Sequence, residues 1–266
     1  MELIILGTGN AAVTKIYNTC FAFRQGKDCI LVDAGGGNTI LARLKEAGIA
    51  LGDIKDVIVT HKHIDHLLGI IWLMRMMSQE MLKGKFDHDV MIYGHEEVTG
   101  LLNDICEKLL TGKQFKKIQE KIHLVTVENG EKKLIQGHEV EFFDICSKKA
   151  KQFGFAMELE DGKNLCCCGD EPLNEANESY ALGCDWLFHE AFCLDSEADI
   201  FKPYEKSHST VKSACETAER IGVKNLLLYH TEDSKGAKRG ELYKAEGEKY
   251  FSGKLFVPDD LEIINI

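Results

Sequence analysis

The stretch Val57-Ile58-Val59-Thr60-His61-Lys62-His63-Ile64-Asp65-His66 decides the reading of this chain. It opens as a short β-branched apolar run, the pattern of a buried strand ending at Thr60, and passes directly into a segment dense in histidine before an apolar helix pattern resumes. Imidazole and carboxylate are the side chains that bind zinc and similar divalent ions. Side chains alternate along a strand, so His61 and His63 can point the same way and grip one ion, while Asp65 and His66 turn towards a second. A solvated, His-rich loop is the bland alternative. Histidine is rare, and three of them beside an aspartate, straight after an apolar strand, count against it.

Outward from this segment, short apolar runs alternate with helical patterns. Strands are expected at 3–6, 20–24, 29–33, 57–60, 90–93, 140–145, 155–159, 165–168, 186–189, 226–229 and 254–257. One helical face carries Ile40, Leu41, Leu44 and Ala47, another Val98, Leu101, Leu102, Ile105 and Leu109, and a third Val211, Ala214, Cys215, Ala218 and Ile221. The class is mixed α and β, with helices packed on sheets in layers. No linker, repeat or low-complexity tract marks a boundary, so residues 1–266 are expected to form a single domain.

Composition narrows the function. At 266 residues and 44% apolar the chain can bury a large core without a metal to hold it together, so any metal serves chemistry. A net charge of −11 argues against a general nucleic-acid binder. The opening Met1-Glu2 and the short apolar run after it do not read as an export signal. The apolar stretch 67–77 is interrupted by Arg75 and falls short of the ~20 residues of a membrane helix. A cytoplasmic location is expected, and the 10 cysteines, three of them in succession at 166–168, are expected as reduced core thiols.

The segment Thr-His-x-His-x-Asp-His resembles the metal motif of the metallo-β-lactamase superfamily. Leu6-Gly7-Thr8-Gly9 and Leu31-Val32-Asp33-Ala34-Gly35 resemble its opening turns, Cys168-Gly169-Asp170 its later Gly-Asp carboxylate, and His230, after an apolar strand, its last metal histidine. Within the superfamily the chain is most similar to the ribonuclease Z-like branch, through His189-Glu190-Ala191-Phe192 followed by His208-Ser209-Thr210 and then His230.

The resemblance implies a four-layer αβ/βα sandwich, the metallo-β-lactamase fold, with two divalent ions, zinc first and manganese or iron accepted by the same donors. His61 and His63 would hold the first ion, Asp65, His66 and His230 the second, and Asp170 would bridge them. A hydroxide bridging the two ions is the implied nucleophile. His208 would be the general acid, since imidazole titrates near neutral pH, with Glu190 as the partner that orients and charges it and Asp65 counted with them as catalytic. His189 reads as structural, and Ser209 or Thr210 can cap the next helix.

Two departures stand out. The family places a third histidine of the first metal after the strand 140–145, where this chain has Asp144-Ile145-Cys146-Ser147; Cys146 occupies that place, with Asp144, Ser147, water or no ligand as alternatives, and His138 lies before the strand. Transfer-RNA maturases carry a protruding arm before the Gly-Asp carboxylate, and the stretch 147–169 has no room for one. Lys148, Lys149 and Lys151 could meet an anionic substrate or simply be solvated, and Lys113, Lys116, Lys117 and Lys121 read as a solvated helix face.

The expectation is therefore a metal-dependent hydrolase, a phosphodiesterase for a small-molecule or short phosphodiester. Efficient processing of transfer-RNA precursors is not expected, no membrane is involved, and a homodimer is the default assembly. The rival readings are a lactone, thioester or lactam hydrolase on the same site, and a catalytically inactive metal-binding sensor.

Overall fold

Every apolar run assigned to a strand is one, with ends within three residues of expectation, and the fourteen strands fall into two seven-stranded sheets. The computed structural model describes residues 1–266 and divides into two units. The first unit comprises Met1–Gly7, Tyr17–Glu128 and Asp260–Ile266; the second comprises Thr8–Ile16 and Asn129–Asp259.

The first unit contains β1 (Glu2–Gly7), β2 (Cys20–Gln25), β3 (Asp28–Val32), α1 (Thr39–Glu46), β4 (Ile54–Ile58), α2 (Ile64–Leu82), β5 (Val90–Gly94), α3 (Glu96–Leu109), α4 (Gly112–Lys121) and β6 (Ile122–Thr126). The second contains β7 (Lys132–Ile135), β8 (His138–Asp144), β9 (Phe153–Glu158), β10 (Asn164–Cys167), α5 (Glu178–Ala181), β11 (Trp186–Glu190), α6 (Ala198–Phe201), α7 (Val211–Arg220), β12 (Asn225–Tyr229), α8 (Arg239–Gly247) and β13 (Lys254–Phe256). The chain then returns to the first unit as β14 (Ile263–Asn265).

Sheet order in the first unit is β14-β1-β2-β3-β4-β5-β6. β1 to β3 pair antiparallel, β2 and β3 through the short turn at Gly26-Lys27, and β3 to β6 run parallel with helices in the crossovers. Ile4, Leu31, Val57, Ile70, Met74 and Leu102 are among the residues that fill its core. Helix α2 lies so close to the turn after β3 that a Cβ added at Gly69 would sit 1.8 Å from the Ala34 carbonyl oxygen. Glycine is what permits this contact, and two backbone bonds, Ala34 N–H to His66 O at 3.1 Å and Gly69 N–H to Gly35 O at 2.9 Å, seal it. The start of α2, which carries Asp65 and His66, is thereby pinned to the end of β3.

The second unit repeats the scheme with order β13-β12-β11-β10-β9-β8-β7, antiparallel from β7 to β10 and parallel from β10 to β13. Its core gathers Leu187, Leu226 and Leu228 with Ala214, Cys215 and Tyr243. Three strands were not expected. β6 follows α4 without a breaking residue, β7 is a polar edge strand, and β14 is only three residues long. His138 is the first residue of β8, not a residue before it, and gives Nδ1 to the Glu158 carbonyl at 2.9 Å. All ten cysteines are free thiols, nine of them buried. No helix is long and apolar enough to cross a membrane.

Candidate metal centre

β4 stops at Ile58, two residues sooner than its apolar pattern suggests: Val59 N–H still reaches Tyr93 O of β5, but Thr60 N–H is taken by the Asp33 carboxylate. Asp33 follows β3 in the left-handed region, φ +53°, which aspartate tolerates. Its Oδ1 accepts Thr60 N–H at 2.9 Å, and its Oδ2 accepts the Thr60 hydroxyl at 2.7 Å and His66 Nδ1–H at 2.7 Å. The Thr60 oxygen, its own hydrogen committed to Asp33, lies 2.9 Å from His61 Nδ1 and accepts that N–H. This one buried carboxylate sets the tautomers of two imidazoles, leaving Nε2 of both His61 and His66 as the lone pair.

His61 Nε2 lies 2.9 Å from His63 Nδ1, while Lys62 between them is exposed and pairs with Glu97 at 2.6 Å. The strand-end alternation anticipated from the sequence is present. Asp65, in the first turn of α2, puts Oδ2 at 3.4 Å from His66 Nε2. Metal-capable atoms of Asp33, His61 and His66 lie within 4.8 Å of one another. Both Asp33 oxygens accept hydrogen bonds, which fits a role in orienting His61 and His66. Burial disfavours charge on His66, yet Asp33 and Asp65 outweigh it and hold this imidazole well above its ordinary pKa. A pocket that draws a proton this strongly carries negative charge in excess. Converging lone pairs, preset tautomers and that charge together fit a divalent ion.

In the second unit Asp170 follows Gly169, whose φ of +76° and closeness to Gln152 exclude a side chain: a Cβ there would meet Gln152 Oε1 at 2.6 Å. Gln152, fully buried, accepts Asp170 N–H through the same oxygen at 2.8 Å. Tyr229, whose phenol burial holds well above its usual pKa, donates its hydroxyl to Gly169 O. His230 follows at φ +58° with Nε2 3.7 Å from Asp170 Oδ2. Asp170 and His230, far apart in sequence, are thus neighbours.

His208 is buried, with Nδ1 3.5 Å from Glu190 Oε2 and its ring 5.3 Å from that of His230. Glu190 closes β11, is completely buried, and accepts Ser209 N–H through Oε1 at 2.5 Å. Thr210 caps α7, accepting Ser213 N–H at 3.2 Å, so the cap leaves the imidazole free. His189 is structural: Nδ1 donates to Glu190 O at 2.6 Å, Nε2 accepts Leu173 N–H at 3.0 Å, and burial lowers its pKa.

Cys146, expected as a ligand, is placed apart from these clusters. It is exposed at φ +58°, its N–H held by Asp144 Oδ1 at 2.8 Å in a tight turn and its Sγ 3.7 Å from Asp144 O. The turn directs the thiol back onto its own backbone. Ser147 is committed to Glu171 at 2.7 Å, which Lys149 also approaches at 3.8 Å. Lys116 and Lys117 pair with Glu120, and Lys121 with Asp87 and Asp89, which makes that face a solvated one. Two residues escaped the sequence reading. Asp33 was visible only as part of a strand-end motif, and Gln152 carried no signal at all.

A ribonuclease Z of Thermococcus sibiricus is 28% identical over 306 residues, an alignment covering 100% of this chain and 96% of that one. The crystal structure of the metallo-β-lactamase fold protein YhfI from Bacillus subtilis superposes with a TM-score of 0.79 at 17% identity, covering 99% and 98% of the two chains. The short form of human tRNase Z gives 0.75 at 20% identity, covering 100% and 99%. The fold is the metallo-β-lactamase fold, and the chain is a metal-dependent hydrolase of the phosphodiesterase class. The family model described as Anti-Pycsar protein Apyc1 matches residues 1–251, nearly the whole length, and the chain belongs to that family.

Proposed function

We propose that residues 1–266 work as a single metallo-hydrolase domain that cleaves a small or short phosphodiester. His61 and His63 would hold one ion and Asp65, His66 and His230 a second, with the Asp170 carboxylate serving both and zinc the preferred metal. When bound, the ions supply an activated water and withdraw charge from the phosphoryl oxygens. The chain's own residues do the rest. Asp33 orients His66 directly and His61 through Thr60, which aims Nε2 of both rings. His208 delivers a proton to the departing oxygen as the P–O bond breaks, and Glu190 on its Nδ1 side leaves Nε2 as the donor. Efficient trimming of transfer-RNA precursors is not part of this function, because the stretch 147–169 lacks an arm and a charge of −11 opposes polyanions.

The observation that carries the reading is buried His208, backed by Glu190 at 3.5 Å and 5.3 Å from the ring of His230. Opening a lactone or lactam has less need of a proton donor there. The test is a panel containing a phosphodiester, a phosphomonoester, a lactam and a thioester, with metals added back singly. Chelator-sensitive turnover of the diester is expected. His208→Ala should keep its metal and lose roughly 10²- to 10⁴-fold in kcat on a diester with a poor leaving group. Turnover of the thioester or lactam alone would overturn the reaction class, and a metal-loaded protein inert to all four would be a sensor.

A further inference from the structure

The contact between Glu190 and His208 leaves one freedom open. At 3.5 Å it is too long to be a strong hydrogen bond, and the terminal torsion of histidine is broad, so the carboxylate alone does not fix the plane of the imidazole. Phe192, two residues beyond Glu190, supplies what is missing. Its buried ring lies flat on His208, with centroids 5.0 Å apart and planes 14° apart. The backbone behind that ring is fastened at three points. Phe192 N–H donates to Ser209 O at 3.0 Å, and Phe192 O accepts Glu232 N–H at 2.8 Å and the Tyr243 hydroxyl at 3.1 Å. Ser209, adjacent to His208, donates its hydroxyl to Glu190 O at 2.8 Å, so residues 190–192 and 208–209 are stitched together. Lys206 places Nζ 5.1 Å from the centroid of the same aromatic ring, which further immobilises it.

We propose that Phe192 is a positioning residue for the reaction: its ring sets the plane of the His208 imidazole, and so the direction in which Nε2 presents its proton. This rests on the general-acid reading of His208. A flat, pinned platform removes rotation about the last side-chain bond, and misdirection of a proton donor by even an ångström is costly in rate.

The experiment measures kcat and KM of Phe192→Ala, Phe192→Leu, Phe192→Tyr, His208→Ala and the Phe192→Ala/His208→Ala double variant. Two diesters are used, one with a poor alkyl leaving group and one with p-nitrophenol, and metal content and melting temperature are recorded for each protein. Phe192→Ala should lower kcat on the poor leaving group roughly 10- to 100-fold, with KM and metal content unchanged and a smaller loss on the nitrophenyl diester. Phe192→Tyr should restore the rate, whereas Phe192→Leu, which keeps bulk without a plane, should not. In the His208→Ala background the substitution should change nothing further. An equal additional loss in that background, a loss carried by KM, or full activity of folded Phe192→Ala would overturn the proposal. If Phe192→Ala does not fold, the Leu and Tyr variants decide it by the same criterion. An active His208→Ala would instead remove the general-acid reading itself, a result distinct from failure of Phe192 alone.

Discussion

Asp33→Asn changes one atom type in the buried relay that orients the imidazoles of His61 and His66, the proposed metal ligands. Asparagine has the same shape and tolerates the left-handed backbone at φ +53°, so the turn after β3 should survive. The amide oxygen must face Thr60 N–H, which Oδ1 accepts at 2.9 Å in the wild type, and the amide nitrogen then replaces Oδ2. That nitrogen confronts two donors, His66 Nδ1–H and the Thr60 hydroxyl, both 2.7 Å from the original oxygen. Donor cannot meet donor, so His66 escapes by carrying its proton on Nε2, the atom whose lone pair is needed for the ion. Losing an orienting partner of a metal histidine lowers affinity roughly 10- to 100-fold, or about 1.4 to 2.7 kcal/mol. One carboxylate serves two imidazoles here, so a loss near the upper end, ~100-fold, is expected. Competition against a metal chelator measures it directly. Calorimetry in buffers of different ionisation enthalpy adds a second readout. Asp33 and Asp65 raise the pKa of His66, which favours proton release on metal uptake, and Asp33→Asn, which removes part of that shift, should release less. Wild-type affinity together with unchanged proton release in Asp33→Asn would refute the relay.

Cys146→Ala should retain full metal content, because the thiol faces Asp144 O; loss of an ion on elemental analysis would restore the cysteine as a ligand. Gln152→Leu leaves Asp170 N–H buried and unbonded, which should cost about 1–3 kcal/mol in thermal or denaturant unfolding and weaken metal retention during dialysis against chelator. A variant as stable and as metal-replete as the wild type would remove Gln152 from the site. Gly69→Ala forces a Cβ to within 1.8 Å of Ala34 O, so α2 must move off the turn after β3; a large drop in melting temperature with loss of metal is expected, and an unchanged melt would contradict the close approach.

Most strands were legible locally. Eleven strands showed because a short apolar run bounded by polar or glycine residues needs no tertiary context to be recognised, and β6 was hidden because it continues straight out of α4. The convergence of His61 Nε2 and His63 Nδ1 follows from alternation over three residues.

The amino-acid sequence by itself determined the class of fold and the strand-to-helix junction that carries His61, His63, Asp65 and His66. Only the tertiary structure decided which distant residues serve them. Asp33 reaches Thr60 across 27 residues because β3 and β4 pair in parallel, Val32 beside Ile58, so their carboxyl ends open side by side. Gln152 reaches Asp170 because it precedes β9 and Asp170 follows β10, and the antiparallel pairing of those strands brings the two ends together. Phe192 lies flat on His208 because a ladder of backbone and hydroxyl bonds draws residues 190–192 to 208–209. Cys146, at the sequence position where a ligand was expected, is turned away by a hydrogen bond to its own neighbour. Ligand type is a property of a side chain and its near neighbours. Orientation depends on strand pairing over long separations, which local spacing does not encode.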